Sequence, residues 1–450
     1  MGAFNKMDLT IDTEFLKDWK WNGKTALITG IGGQDGSYLA EFLLSKGYKV
    51  RGIVRRASWP NTRRVDHLDV FDEKYGKTEG SPFFLLYGDL ADTISIRTVL
   101  EKVRPDEVYN IGAQSHVGIS FENPESTLNY NSLGPLRILD AIRDMKLNCK
   151  YYQASSSEMF GISSPPQNED TIMLPQSPYG ISKLAAYHLT RMYRKAYGLF
   201  ACNGILFNHE SPRRGLNFVT KKVTGAVADI VVGKKDKLVL GNLDAKRDWG
   251  YAKEYVQMMW GIMQQDSPDD YVISTRETHT IREFVEETFS LVGLNWRDYV
   301  VTSSNYKRPA EVPALLGDCT KAEEKLGWKP QTKFKELVRL MLAADLKERF
   351  VERGIINPKS APANQEFYLK KAKDLAENLK PKLFYKINAN ELNSIFQELY
   401  LILREKNVSY EVTERIKEEL SQKLMGKIVS KEDLEKELRE VSVQYKVREG

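Results

Sequence analysis

Tyr179 and Lys183 stand four residues apart in Tyr179-Gly-Ile-Ser-Lys183, a spacing that puts a phenol and an ammonium on one helical face. There the cation stabilises a tyrosinate and lowers a pKa normally about 10, which makes Tyr179 a candidate base near neutral pH. Just upstream, Ser155-Ser-Ser-Glu158 follows the apolar run Lys150-Tyr-Tyr-Gln-Ala154. Three serines read most simply as a polar turn. Glu158 is less easily dismissed, because it follows a strand expected to be buried and precedes the Tyr/Lys helix. A Tyr/Lys pair alone marks many solvated helix faces, so the elements around it decide its meaning.

Those elements alternate. Lys24-Thr-Ala-Leu-Ile-Thr29 is a short strand pattern, Gly30-Ile-Gly-Gly33-Gln-Asp-Gly36 a glycine turn, and Tyr38, Leu39, Phe42 and Leu43 mark a helix. Glycines at such a turn let the backbone approach a pyrophosphate, which then sits at the helix N-terminus. Lys49-Val-Arg-Gly-Ile-Val54 follows as a second strand and ends in Arg55-Arg56. An acidic residue there would grip the ribose of NAD, whereas two arginines suit a 2′-phosphate, so NADP is the expected cofactor. Phe83–Tyr87 runs into Gly88-Asp89-Leu90, and Glu107–Ile111 into Gly112-Ala-Gln-Ser-His116. The fold class is therefore α/β, a doubly wound parallel sheet of the Rossmann type, with ligands gathered at the carboxyl ends of its strands.

Ile205-Leu-Phe207 continues the sheet pattern and opens into Asn208-His-Glu-Ser-Pro-Arg213-Arg214-Gly215. Lys221-Lys222, Asp244–Gly250 and Arg308-Pro-Ala-Glu311 follow as basic and polar stations of a smaller substrate-binding lobe. The expected division is an arm over 1–22, a Rossmann domain over 23–207 to which later segments return, a lobe over 208–350, a linker over 351–365 and a helical appendage over 366–450.

With 450 residues, 42% of them hydrophobic and 28% charged, the chain can bury a sizeable core. A net charge of +5 is mild, and nothing in the first 350 residues clusters basic and aromatic side chains as a nucleic-acid footprint does. Cys149, Cys202 and Cys319 form neither a zinc pattern nor a disulfide framework, which fits a reducing cytoplasm. His67, His116, His188, His209 and His279 are scattered, so no metal is expected. The segment Met1 to Asn22 carries four acidic residues and lacks the apolar run of a signal peptide, and no apolar stretch of about eighteen residues occurs. No membrane insertion is expected.

Gly30-x-x-Gly33-x-x-Gly36 with Tyr179-x-x-x-Lys183 resembles the extended short-chain dehydrogenase/reductase superfamily. Within it, Gly33-Gln-Asp-Gly-Ser-Tyr-Leu-Ala40, Asn208–Gly215 and Gly241-Asn-Leu-Asp-Ala-Lys-Arg-Asp-Trp-Gly250 resemble the GDP-mannose 4,6-dehydratase family over roughly residues 23 to 345. The resemblance implies conversion of GDP-mannose to GDP-4-keto-6-deoxymannose with NADP reduced and reoxidised in each turnover, by a homodimer or homotetramer. It implies that Tyr179, supported by Lys183, removes the 4-hydroxyl proton, and that Glu158 takes the C5 proton and helps expel the 6-hydroxyl. It implies too that Ser156, where the family usually has Thr, hydrogen-bonds the 4-oxygen. A carboxyl group can act as base and then acid, as loss of water requires, whereas epimerisation needs none there.

The same resemblance assigns the cofactor to Gly30, Ile31, Gly32, Gly33, Gln34, Asp35, Arg55, Asp89, Leu90, Ile111, Gly112, Ala113, Gln114, Ser115, Tyr179, Lys183, His209 and Arg214. It assigns the nucleotide sugar to Asn208, Val219, Lys222, Arg247, Arg308 and Glu311. Two departures stand out: the family's Tyr near Ser126 is absent, and Lys221 stands where Arg is usual. The alternatives are a dehydratase or epimerase of another nucleotide sugar, and a non-catalytic NADP-binding scaffold, which would have no need to keep Tyr179, Lys183 and Glu158 together.

About a hundred residues continue past Gly354, starting with the Pro-rich linker pattern Asn357-Pro-Lys-Ser-Ala-Pro-Ala363. Leu392, Ile395, Leu399 and Leu403 share one helical face, as do Val412, Ile416, Leu420 and Leu424, and Ser430-x-x-Asp433 resembles a capping box. Asn407–Leu420 with Lys423–Ser430 is similar to the helical N domain of signal-recognition-particle-type GTPases, but the chain has no Gly-x-x-x-x-Gly-Lys-Ser/Thr phosphate loop. The tail reads as an oligomerisation or partner-docking bundle.

Overall fold

The computed structural model describes residues 18–58, 61–69, 78, 80–303, 309–377 and 379, and parts of 384–440 that include 410–425 and 428–430. Seven parallel strands form the central sheet: β1 (Thr25–Thr29), β2 (Lys49–Val54), β3 (Phe83–Tyr87), β4 (Glu107–Asn110), β5 (Lys150–Ser156), β6 (Ala201–Leu206) and β11 (Asp270–Ile273), in the order β3-β2-β1-β4-β5-β6-β11. The order reverses between β1 and β4, so the loops leaving those two strands diverge and open a crevice at their carboxyl ends.

Both sheet faces are covered, which is why the strands are apolar on both sides. Ala26 and Ile28 of β1 point into one cluster, beneath helices α1 (Gln34–Ser45) and α8 (Ala252–Met263), while Leu27 points into the other. That second cluster packs α2 (Thr93–Val103), α5 (Gly134–Asp144) and the long α6 (Pro178–Tyr197). Ahead of α5 lie α3 (Val117–Glu122) and α4 (Pro124–Leu128), and one widened turn, Asn129–Leu133, joins α4 to α5.

A separate apolar core builds the smaller lobe from α7 (Val219–Val231), α9 (Ile281–Ser290) and α11 (Phe334–Glu352). Within this lobe lies the short strand β8 (Leu238–Leu240), while α10 (Thr320–Leu326) packs Ala322 back onto the core under the sheet. Short strands link the lobe to the sheet: β7 (Asn208–Glu210) runs parallel to β10 (Trp249–Tyr251), and β9 (Lys246–Arg247) pairs with β12 (His279–Thr280).

This core continues through the expected linker. Helix α12 (Gln365–Ala376), capped by Asn364, buries Tyr368, Leu369 and Ala372 against it, with the Tyr368 ring 6.4 Å from that of Phe350. The lobe thus extends to Ala376, about ten residues into the segment expected as an appendage. Beyond it, the second expected apolar face falls on α13 (Tyr410–Leu424), where Ile416, Leu420 and Leu424 are buried. Of the first face only Leu392 lies within the described residues, and it is buried. The tail also contains an antiparallel ribbon, Phe384–Lys386 against Ile428–Ser430. Ser430 therefore ends a strand, and the residues between it and Asp433 lie outside the described set.

Candidate active site

The glycine turn closes over the end of β1 because side chains have no room there. Gly30 has φ +69°, and a Cβ on it would lie 2.6 Å from Gly112 Cα; one on Gly36 would lie 2.4 Å from the Gly30 carbonyl oxygen. Thr29 Oγ1 accepts hydrogen bonds from the Ile111 and Gly112 amides at 3.1 and 2.9 Å, tying the loops after β1 and β4 together at the switch point. Between them lies a cleft of about 710 Å³, lined by Gly30, Gly32, Gly33, Gln34, Asp35, Gly36, Arg55, Leu90, Ile111, Gly112, Ala113, Gln114, Ser115 and Arg214.

Three of the expected cofactor residues stand differently. Ile31 is fully buried and packs in the core beneath the turn. Asp89 lies beside the lining residues Gly88 and Leu90, with Oδ1 accepting from the Ala91 amide at 2.9 Å. Arg56 is exposed and outside the cleft lining, because consecutive residues leaving a strand point to opposite sides. In its place the loop after β2 brings Asn61, Arg63 and Arg64 to the cleft, and Arg64 donates to the Gly32 carbonyl at 3.2 Å and to that of Arg213 at 2.9 Å. The adjacent pair Arg63-Arg64 was the available signal, but no strand or turn pattern marked where that loop folds back. Ser126 and Tyr130 also line this cleft.

His209 and Asp35 clasp α1 to the segment after β6. His209 Nε2 lies 2.9 Å from Asp35 Oδ2 and Nδ1 lies 2.7 Å from the Phe207 carbonyl, while the ring stacks on Tyr255 at 4.8 Å. Two acceptors on the two ring nitrogens favour the doubly protonated imidazolium. Burial works against charge on both groups, but their mutual attraction outweighs it, so His209 titrates above its ordinary value and Asp35 below. Gln34 completes the clasp by donating to Asp35 Oδ1 at 2.9 Å and accepting from Ser211 Oγ at 2.7 Å.

The four expected catalytic residues converge. Ser156 closes β5, and its Oγ accepts from the Glu158 amide at 3.2 Å, shaping the turn that presents Glu158. Ser177 caps α6 through the Gly180 amide at 3.0 Å, with Pro178 at the first helical position, and so sets where Tyr179 and Lys183 emerge. Lys183 Nζ donates to the Ala154 carbonyl at 2.8 Å and lies 5.9 Å from the Tyr179 ring centroid. The backbone of Glu158 meets this helix directly, since a Cβ on Gly180 would lie 2.8 Å from the Glu158 carbonyl oxygen.

Burial changes the acid–base balance that the Tyr/Lys spacing alone leads one to expect. It pushes the Tyr179 phenol up to about 12, against a hydrogen bond with Ser156 and the charge of Arg214, which pull it down. The same burial lowers Lys183 to about 8. In the protein alone Tyr179 is therefore a protonated phenol beside a readily neutralised ammonium.

Facing these residues is a second cleft of about 530 Å³, which shares Asp35, Ile111, Ala113, Ser115, Arg214 and Phe218 with the first. Asn208, His209, Val219, Lys222, Arg247 and Glu311 line it together with Ser156, Glu158, Tyr179 and Lys183. Arg308 lies outside the described residues. Asn208 Oδ1 is buried there with no protein hydrogen-bond partner among the described residues, an acceptor left for a ligand. Lys221 turns away and forms a buried ion pair with Asp345 of α11, while its neighbour Lys222 faces the cleft.

Arg247 bridges the lobes: Nη2 lies 3.9 Å from Glu158 Oε1, while Nη1 donates to the Lys246 and Val312 carbonyls at 2.8 and 2.9 Å. The next residue, Asp248, is fully buried and accepts from Thr275, Arg276 and Gly317, which holds that strand in place. Asn217, Phe218, Thr220 and Asn242 also line the cleft; nothing in their spacing announced them.

A glycine-cradled crevice joined to a Tyr/Lys/Ser/Glu cleft under a second lobe is the arrangement of the extended short-chain dehydrogenase/reductases. Solved structures of that shape match: NAD-bound UDP-glucose 4-epimerase of Thermus thermophilus at TM-score 0.60 and 25% identity, covering 71% of this chain and 98% of that one. The dTDP-glucose 4,6-dehydratase of Bacillus anthracis matches at TM-score 0.61 and 20% identity, covering 73% and 98%.

The GDP-mannose 4,6 dehydratase family model matches residues 27–341. GDP-mannose 4,6 dehydratase 2 of Arabidopsis thaliana is 52% identical over 347 residues, covering 76% of this chain and 92% of that protein. The Homo sapiens GDP-mannose 4,6 dehydratase is 51% identical over 341 residues, covering 71% and 91%. The chain belongs to the GDP-mannose 4,6-dehydratase family.

Proposed function

We propose that the protein dehydrates GDP-mannose to GDP-4-keto-6-deoxymannose, by oxidation at C4, loss of water across C5–C6 and return of hydride to C6. The observation that carries this reading is the meeting of the Glu158 carboxyl group with Ser156, Tyr179 and Lys183 in one cleft, opposite Arg247 and Lys222.

The first cleft fits a nicotinamide dinucleotide. Gly30 and Gly36 admit no side chain, α1 offers its free amides to a pyrophosphate, and Arg55, Arg63 and Arg64 gather at one end. Those arginines, with no acidic residue following β2, favour NADP over NAD. A nicotinamide held by those residues would supply the hydride acceptor for the oxidation at C4 and the hydride donor for the reduction at C6.

Tyr179 removes the 4-hydroxyl proton. Because its phenol titrates at about 12 in the protein alone, it works as a base only where positive charge, including that of Lys183, supports the phenolate. Ser156 hydrogen-bonds the 4-oxygen and holds Tyr179 in line. The ketone formed at C4 acidifies C5; Glu158 takes that proton and gives one to the departing 6-hydroxyl, with Arg247 orienting the carboxylate. Arg247 and Lys222 bind the diphosphate.

Leu128, Leu133 and Ile181 are exposed on the helices flanking the cofactor cleft, which supports assembly as a homodimer or homotetramer. Among the described residues no helix is long and apolar enough to cross a membrane, and the three cysteines are free and buried, which supports a cytoplasmic setting. The C-terminal tail is left as a candidate dock for a protein partner.

The test is isotopic. Incubated with GDP-mannose deuterated at C4, the purified protein is expected to give a 4-keto-6-deoxy product carrying the label at C6. A product without label at C6 overturns the internal hydride cycle.

A further inference from the structure

Ser126 stands where the resemblance leads one to expect a tyrosine, and it has no ring to offer the cofactor. One turn further on, Tyr130 lines the same cleft. The widened turn puts it there: the Gly134 amide bonds back to the Asn129 carbonyl, five residues away, so the helix carries one residue more per turn at this point.

Both neighbours of Tyr130 are fixed. Arg137 holds Asn129 through its carbonyl at 3.3 Å and Oδ1 at 2.8 Å, and reaches the Leu90 carbonyl at 2.8 Å. Asn131 exchanges two hydrogen bonds of 2.9 Å with the Gln114 backbone and donates to Ser182 Oγ at 3.1 Å. Held between them, Tyr130 packs against the apolar cluster containing Leu90 and Ile53, and its hydroxyl lies 3.4 Å from Asp89 Oδ2. The guanidinium of Arg55 lies 5.5 Å from its ring centroid.

Arg55 is an exposed side chain on a loop, and a long cation there loses much rotamer freedom when it binds a phosphate. A rigid aromatic face removes part of that loss beforehand. We infer that Tyr130 holds Arg55 toward the 2′-phosphate of NADP, so that discrimination between phosphorylated and unphosphorylated cofactor depends on this ring. The inference rests on the NADP reading above, and Tyr130 acts as a positioning residue through Arg55.

Calorimetric titration of the full-length protein with NADPH and with NADH tests it, on wild type, Tyr130→Leu, Tyr130→Phe, Arg55→Gln and the Tyr130→Leu/Arg55→Gln double variant. Tyr130→Leu is expected to weaken NADPH about five- to tenfold and NADH less than about twofold, while Tyr130→Phe keeps tight NADPH binding. The double variant should bind NADPH no more weakly than Arg55→Gln alone, because the two side chains act as one unit. The small change for NADH also reports that the variants fold. Equal weakening of both nucleotides, unchanged NADPH binding or fully additive losses overturn the inference. A wild type that binds both nucleotides alike overturns the NADP reading, and this inference with it.

Discussion

Glu158, Tyr179 and Lys183 divide the proposed chemistry between them, and each can be tested separately. Glu158→Gln keeps the size and the hydrogen bonds of the turn but cannot move a proton. It should bind NADPH and GDP-mannose normally and lose water elimination by about 10²–10⁴-fold, read as 4-keto-6-deoxy product by NMR. Undiminished turnover would remove Glu158 from the mechanism. Lys183, lowered by burial to about 8, is charged below that pH and neutral above it, so kcat/KM for GDP-mannose should fall on the alkaline side of about pH 8. A profile level to pH 10 would show that the ammonium charge is not what supports Tyr179. These residues were legible because the Tyr/Lys spacing and the strand end before Glu158 are local. The rise of the phenol's pKa on burial was not, since burial is a property of the packed molecule. Arg55 and Arg56 make the same point, as composition cannot say which of two adjacent exposed arginines lines the cleft.

At the level of elements, the glycine turn and α1 form a cradle whose tolerance is measured in tenths of an ångström. Gly36→Ala would place a methyl 2.4 Å from the Gly30 carbonyl, so NADPH binding should be lost, with destabilisation of about 1–3 kcal/mol seen in the melting temperature. A variant that binds NADPH like wild type would show that the turn yields.

The His209–Asp35 clasp gives a pH signature. A raised His209 contributes stability fully below its unfolded value of about 6.5 and loses it as pH climbs through the higher folded value; a lowered Asp35 loses its contribution only as pH falls below about 4. The thermal advantage of wild type over Asp35→Asn should therefore be greatest between about pH 4 and 6.5 and shrink at higher pH. A constant difference from pH 5 to 9 would mean that the imidazolium is not involved. The sheet and α1 were readable from periodicity because each buries a regular stripe. The widened turn at Asn129–Leu133 was not, because no side-chain pattern distinguishes it from ordinary helix.

Considered whole, the molecule is a sheet with an apolar cluster on each face and a third apolar core in the smaller lobe; the reaction centre lies between sheet and lobe, and α12 adds to the lobe's core. Removal of residues 381–450 should leave the melting temperature within about 3 °C and GDP-mannose turnover intact. A chain ending at Asn364 should melt roughly 5–10 °C lower, because Tyr368, Leu369 and Ala372 no longer cover the lobe. Equal loss from both truncations would assign the tail a structural role. The Pro-rich stretch at 357–363 looks like a linker because its composition forbids a long helix, yet composition does not reveal that the next helix folds back.

The close approach of Gly180 to the Glu158 carbonyl sets main chain against main chain, so the turn bearing the carboxyl group and the helix bearing the phenol are spaced by backbone rather than by adjustable side chains. A hexose of different reach would still be gripped through its nucleotide yet be worked on slowly. Selectivity among sugars would then register in kcat while KM stayed nearly level.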